Sequence, residues 1–121
     1  VSRDGQAARQ HAKRCVAHIV SGWPDEVLEA KGIDPQAIQA VRQAYAENRG
    51  VDYAVSLTPD EAVDRLIIAG TPDQCVERLR ELFSLAAQHD FSEIVIGVPL
   101  GPDVPEVIDL WGKELLPALR G

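Results

Sequence analysis

Three side chains near the start of the sequence have the types and spacing of a metal site. His11, Cys15 and His18 recur at steps of four and three residues. A helix would place them on one stripe, where two imidazoles and a thiolate could share a zinc ion. Tetrahedral zinc needs a fourth ligand; none lies close by, and the neighbours Lys13 and Arg14 are basic. Cys15 also belongs to an apolar stripe. A packed thiol with two partly exposed histidines is the preferred reading, and no metal is expected. No GxSxG elbow, Walker-type loop or nucleophile beside a base can be found.

A second feature invites a functional reading. The sequence says nearly the same thing twice, TPDEAVDRL at residues 58–66 and TPDQCVERL at residues 71–79. In each copy Thr can cap a helix, Pro suits the first helical position, and Glu61 or Gln74 follows the Thr by three residues. That is a capping box with a favoured proline, and the same grammar recurs at Asp103 and Glu106. The copies start 13 residues apart, shorter than common helical repeats. They are expected to be helix starts rather than a structural repeat.

Composition narrows the field. The 121 residues carry a net charge of −7, with 45% hydrophobic and 26% charged residues, enough for a domain core. Without a basic stripe, nucleic acid drops out as a partner. No apolar run approaches the roughly 20 residues that span a bilayer, so a cytoplasmic protein with no membrane partner is expected. Two distant cysteines cannot make a disulfide framework. The chain begins with Val1 and has no methionine, which suggests an unusual start or residues cut from something longer.

The elements that position these residues read mostly as helices. Residues 4–19 form an amphipathic helix without a clear N-cap, stopped by Gly22 and Pro24. A short helix over residues 25–31 ends at Gly32. Asp34 and Pro35 start the next helix, with Ile38, Val41 and Tyr45 as its buried stripe and Gly50 closing it. Residues 52–57 lean towards a short helix. The helix from the second phrase runs on through Leu79, Leu82, Phe83 and Ala86. Residues 93–98, with Ile94, Val95 and Ile96 in a continuous apolar run, predict the one strand, buried on both faces. Residues 66–69 are either a second extended piece or a helix end. A last helix over residues 105–118 carries Val107, Ile108, Trp111 and Leu115 on one side. A doubly buried strand needs partners along both edges, and the sequence offers at most one.

The segments IAGTPDQCVERLREL, EIVIGVPLGPD and LWGKELLPALR, preceded by ARQHAKRCVAHIVSGWPDEVLEAKGIDPQAIQAVRQAY, resemble the C-terminal end of luciferase-like oxidoreductases. The likeness is to the methylenetetrahydromethanopterin reductase-like branch, which uses the deazaflavin coenzyme F420, and it covers almost the whole chain. The resemblance implies an α/β fold, the C-terminal part of a (β/α)8 TIM barrel. Such barrels take about 250 residues, so the chain would be a closing piece. In it, residues 1–67 are a helical segment and residues 68–121 the last helix-strand-helix unit. The rest of the barrel would then supply the missing strand partners, and most of the site would lie outside these residues.

The same resemblance implies where a site would be. The C-terminal ends of barrel strands form the active face, which places Gly97, Pro99 and Leu100 on the wall for F420, FMN being possible instead. A tight turn without ligand contact is the alternative. The helix starting at Thr71 runs back along the last strand, so Gly70 and Thr71 lie on that face, where free N–H groups could hold a phosphate. Against this, Thr71 and Gln74 satisfy two donors between them and Asp73 repels an anion; a plain cap is preferred. Catalytic residues are not identified. The parent would transfer hydride between the deazaflavin and a small organic substrate, and this piece alone is expected to be inactive. The rival reading is a stand-alone helical interaction or dimerisation module, pairing residues 93–98 with a second copy of the chain.

Overall fold

Local capping chemistry builds most of this structure. The computed structural model describes residues 1–98 and 100–121. Helix α1, Gly5–Gly22, starts at Asp4, whose carboxylate accepts from the N–H groups of Gln6 and Ala7 at 3.0 and 3.1 Å. Asp4 thus supplies the N-cap that the sequence reading did not find. The helix also absorbs Ser21 and Gly22 before Trp23 and Pro24 end it, because a terminal turn tolerates glycine. Helix α2, Asp25–Ala30, ends in a Schellman turn: Gly32, at φ +73°, donates to Glu29 O, and Ile33 donates to Leu28 O, both at 2.9 Å. Helix α3, Pro35–Ala46, is capped by Asp34, which accepts from Gln36 N–H at 2.9 Å.

The end of α3 corrects the sequence reading. Asn48, at φ +52°, takes the left-handed position, with Arg49 N–H donating to Ala44 O at 2.9 Å. Asparagine tolerates that conformation, so Gly50 instead precedes α4, Val51–Leu57. Helix α5 covers Asp60–Leu66 and α6 covers Pro72–Gln88. The C-terminal stretch is α7, Val104–Leu110, then a π-helical turn, Trp111–Leu115, then α8, Leu116–Arg120. In the wide turn the N–H of Leu116 reaches back five residues to Trp111 O. The widening suits Pro117, whose ring would crowd Lys113 O in an ordinary turn. It also changes the buried stripe: Val107, Leu110 and Leu115 are buried, whereas Ile108, expected inside, is exposed.

The chain divides into two compact units. One is Gln10–Ile67, which holds most of α1 and all of α2 to α5. It buries Val16, Val20, Leu28, Ile38, Val41 and Val63, and α3 packs on α2 and α4. Ion pairs join its helices: Lys13 to Asp60 at 2.7 Å, Arg14 to Asp52 at 2.9 Å and Arg42 to Asp25 at 2.7 Å. The other unit is Val1–Arg9 with Ile68–Gly121. Its core is Val1, Cys75, Val76, Leu79, Val107, Leu110 and Leu115, flanked by Ile68, Leu100 and Trp111.

The predicted strand is not found. Among the described residues there is no strand, and residues 91–98 are irregular. Val95 and Val98 are 80% and 87% exposed, so the apolar run expected inside lies in the open. The physical reason is the one the sequence already posed: a strand exists only through the ladder it shares with a neighbour. The described part of the chain is helical, and no segment pairs with this run.

Candidate functional site

The residues expected on the cofactor wall all belong to the unit formed by Val1–Arg9 and Ile68–Gly121. Gly70 is buried just ahead of α6. Its carbonyl accepts from Ser2 N–H at 3.2 Å and from the Cys75 thiol at 3.7 Å. A Cβ on Gly70 would stand 2.5 Å from Gln74 Oε1, so glycine is what lets the capping side chain fold back here. Thr71 N–H donates to Gln74 Oε1 at 3.0 Å, and the Thr71 side chain faces the Gln74 backbone N–H in return. The box drawn from sequence is present in this copy, and it takes up two donors an anion would need.

Leu100 is half-buried against the core, and its carbonyl accepts from the Val1 nitrogen at 3.0 Å. Beside it, Gly101 leaves no room for a side chain: a Cβ would lie 2.5 Å from both Val1 O and Val107 Cγ2. Gly97 is exposed, with open space where a Cβ would point. Pro99 lies outside the described residues. Gly70 and Leu100 are therefore joined through two consecutive residues, Val1 and Ser2, while Gly97 stands apart from both ties.

Sequence reasoning missed the side chains that secure those ties. Ser2 Oγ donates to Glu106 Oε2 at 2.9 Å, and Arg3 pairs with Glu114. No spacing rule reaches across 104 residues from Ser2 to Glu106. Asp103 does cap α7, accepting from Glu106 N–H at 3.0 Å, but the Glu106 carboxylate turns to Ser2. Cys75 is a perturbed ionisable group: burial pushes its thiol above the ordinary range, with the nearby positive charge of Arg78 pulling the other way. Such a thiol stays neutral and acts as packing.

The His11, Cys15 and His18 stripe resolves differently. His18 sits edge-on to Tyr45, ring centroids 6.1 Å apart, and Cys15 is half-buried. Among the described residues no group of three His, Cys, Asp or Glu side chains is placed to hold a metal ion. None of the described helices is long and apolar enough to cross a membrane.

Comparison with known proteins gives the arrangement its context. No protein-family model matches the chain. A 5,10-methylenetetrahydromethanopterin reductase of Archaeoglobus fulgidus is 39% identical over 124 aligned positions, 99% of this chain and 36% of that protein. The chain is homologous to part of these reductases. A reductase of the same name from Methanolobus tindarius is 36% identical, over 96% of this chain and 34% of its own length. The solved coenzyme F420-dependent tetrahydromethanopterin reductase of Methanopyrus kandleri superposes with a TM-score of 0.84 at 32% identity. That match takes in 98% of this chain and 33% of the reductase. The chain thus spans about a third of the length of the reductases it matches. The resemblance read over almost the whole chain holds at the level of these relatives.

Proposed function

We propose that these residues form the C-terminal part of a coenzyme F420-dependent reductase whose barrel is completed by other sequence. The observation that carries this is the likeness, at a TM-score of 0.84, to a solved F420-dependent reductase over nearly the whole chain. The apolar, unpaired residues 93–98 support it, because a last barrel strand needs neighbours on both edges. In this reading the Ile94, Val95 and Ile96 side chains enter the barrel wall, and α6 and the C-terminal helices cover its outside.

Bound deazaflavin would supply the hydride chemistry, and the protein would supply position and a dry pocket. Gly97, with no atom near its missing Cβ, suits close approach of a flat ring system. Leu100 continues that wall. Gly70 and Thr71 stand at its edge; with Thr71 N–H already given to Gln74, they contribute backbone shape rather than an anion cradle. A small organic substrate would be held mainly by residues elsewhere in the barrel.

The test is cofactor titration of two proteins, the complete polypeptide that contains these residues and the 121-residue chain alone. Tight F420 binding and F420-dependent reduction by the first, with weak or no binding by the second, is the expected result. Preference of the complete polypeptide for FMN would overturn the cofactor assignment. Tight F420 binding by the short chain would overturn its assignment as one wall of a larger site.

A second reading is kept alive by the exposed Phe91, Val95 and Val98, a patch that a second copy of the chain could cover by strand pairing. Sedimentation of the short chain decides it: a stable, well-defined dimer favours this module, and a loose monomer or aggregate disfavours it.

A further inference from the structure

Residues 1–4 are tied down along their whole length. Val1 belongs to the core of its unit, and its nitrogen donates to Leu100 O at 3.0 Å. The next amide, of Ser2, donates to Gly70 O at 3.2 Å. Two consecutive backbone donors thus hold two separate loops, each containing a candidate wall residue. Ser2 as a residue is 4% exposed. Its hydroxyl donates to Glu106 Oε2 at 2.9 Å and accepts from Asp4 N–H at 3.2 Å. Arg3 pairs with Glu114 on the π-helical turn. Gly101 records how closely this segment lies, since a Cβ there would stand 2.5 Å from Val1 O.

We infer that residues 1–4 form a strap setting the separation of the Gly70 and Leu100 loops, with Ser2 and Glu106 as positioning residues for the cofactor wall. The inference rests on the functional reading above. Its physical basis is that a hydroxyl-to-carboxylate bond is charge-assisted and directional. Here it fixes a backbone whose own amides fix the wall. Without the Glu106 carboxylate, the buried Ser2 hydroxyl loses its acceptor, and the strap can settle away from one loop or the other. Neither side chain needs to touch the cofactor for this to matter. Displacement of the wall by a fraction of an ångström weakens a preorganised site.

The experiment uses the complete polypeptide, with F420 affinity measured by fluorescence titration well below the thermal midpoint and the midpoint recorded alongside. Ser2→Ala and Glu106→Ala are expected to weaken F420 binding about tenfold, the scale of one lost hydrogen bond to a charged group. Glu106→Gln, which keeps an acceptor oxygen, is expected to recover most of that loss. Lys113→Ala, which removes only an exposed pair with Asp109, is expected to leave affinity unchanged. If the alanine variants lower the midpoint but bind F420 as the parent does, the strap is merely structural and the inference is overturned. If the unmodified polypeptide binds no F420, the functional reading fails and the inference falls with it.

Discussion

The two copies of one phrase, residues 58–66 and 71–79, share their letters and their buried stripe but not their beginnings. Ala62 and Val63 in the first copy are buried, as are Cys75 and Val76 in the second. At the start they part. Thr71 caps α6 with Gln74 completing the box. Thr58 directly follows α4, and its buried hydroxyl donates backwards to Ala54 O at 2.9 Å. Pro59 then becomes the N-cap, and α5 starts two residues after the threonine. Glu61 faces Arg65 at 3.8 Å rather than a cap amide. A threonine hydroxyl can serve the helix ahead or the helix behind. Which one it serves depends on what precedes it, and only the first copy has a helix ending at its door.

The sharpest break in the comparison is expected at the last apolar position of each copy. Leu79 is buried in a core and Leu66 only half-buried. Urea unfolding should show Leu79→Ala costing about 2–4 kcal/mol and Leu66→Ala about 1 kcal/mol. Equal costs would mean that the two stripes are equally packed. Next in size are the caps. Thr71→Ala and Thr58→Ala should each cost about 1 kcal/mol. Only Thr71→Ala should speed amide exchange in the first turn of α6, and only Thr58→Ala should do so at the end of α4. Gln74→Ala should share the Thr71 signature, while Glu61→Ala, removing one long exposed ion pair, should stay within about 0.5 kcal/mol.

The smallest difference appears only in alkali, where position 75 titrates and its counterpart Ala62 cannot. Burial raises the pKa of the folded Cys75 thiol above its ordinary value. Its contribution to stability is therefore full below about pH 9 and is lost as pH rises through the folded value. Cys75→Ala should flatten that part of the stability-pH curve. An unchanged slope would assign it to other groups.

What could be read from sequence was what neighbours in sequence decide. Asp34-Pro35, Gly32 and the Thr71–Gln74 box each act within four residues, and each does in the structure what its pattern says. Asn48 and Asp4 were within the same reach and were passed over for the more familiar glycine and for want of an obvious cap. Residues 93–98 failed for a different reason. Their pattern describes an environment, and that environment is not made by the described chain. Of the proposed wall, Gly70 could be marked by its place before a cap, but its tie to Ser2, like that of Glu106, joins the two ends of the sequence and leaves no local trace.

The π-helical turn at Trp111–Leu115 has a consequence for helical phase. Leu110 and Leu115 are five residues apart and both fully buried, whereas a regular α-helix would set them about 140° apart around its axis. The wide turn supplies the missing rotation. The C-terminal helix therefore behaves as two screws of the same hand joined out of step, each tuned to the same core. Removing one residue from the turn would let α7 and α8 run on as one regular α-helix with Leu110 and Leu115 four apart, about 40° around the axis, so Leu115, Ala118 and Leu119 would keep the face they turn to the core. Such a deletion would keep the fit of helix to core, and its cost would fall on Pro117, whose ring would then crowd the carbonyl four residues back.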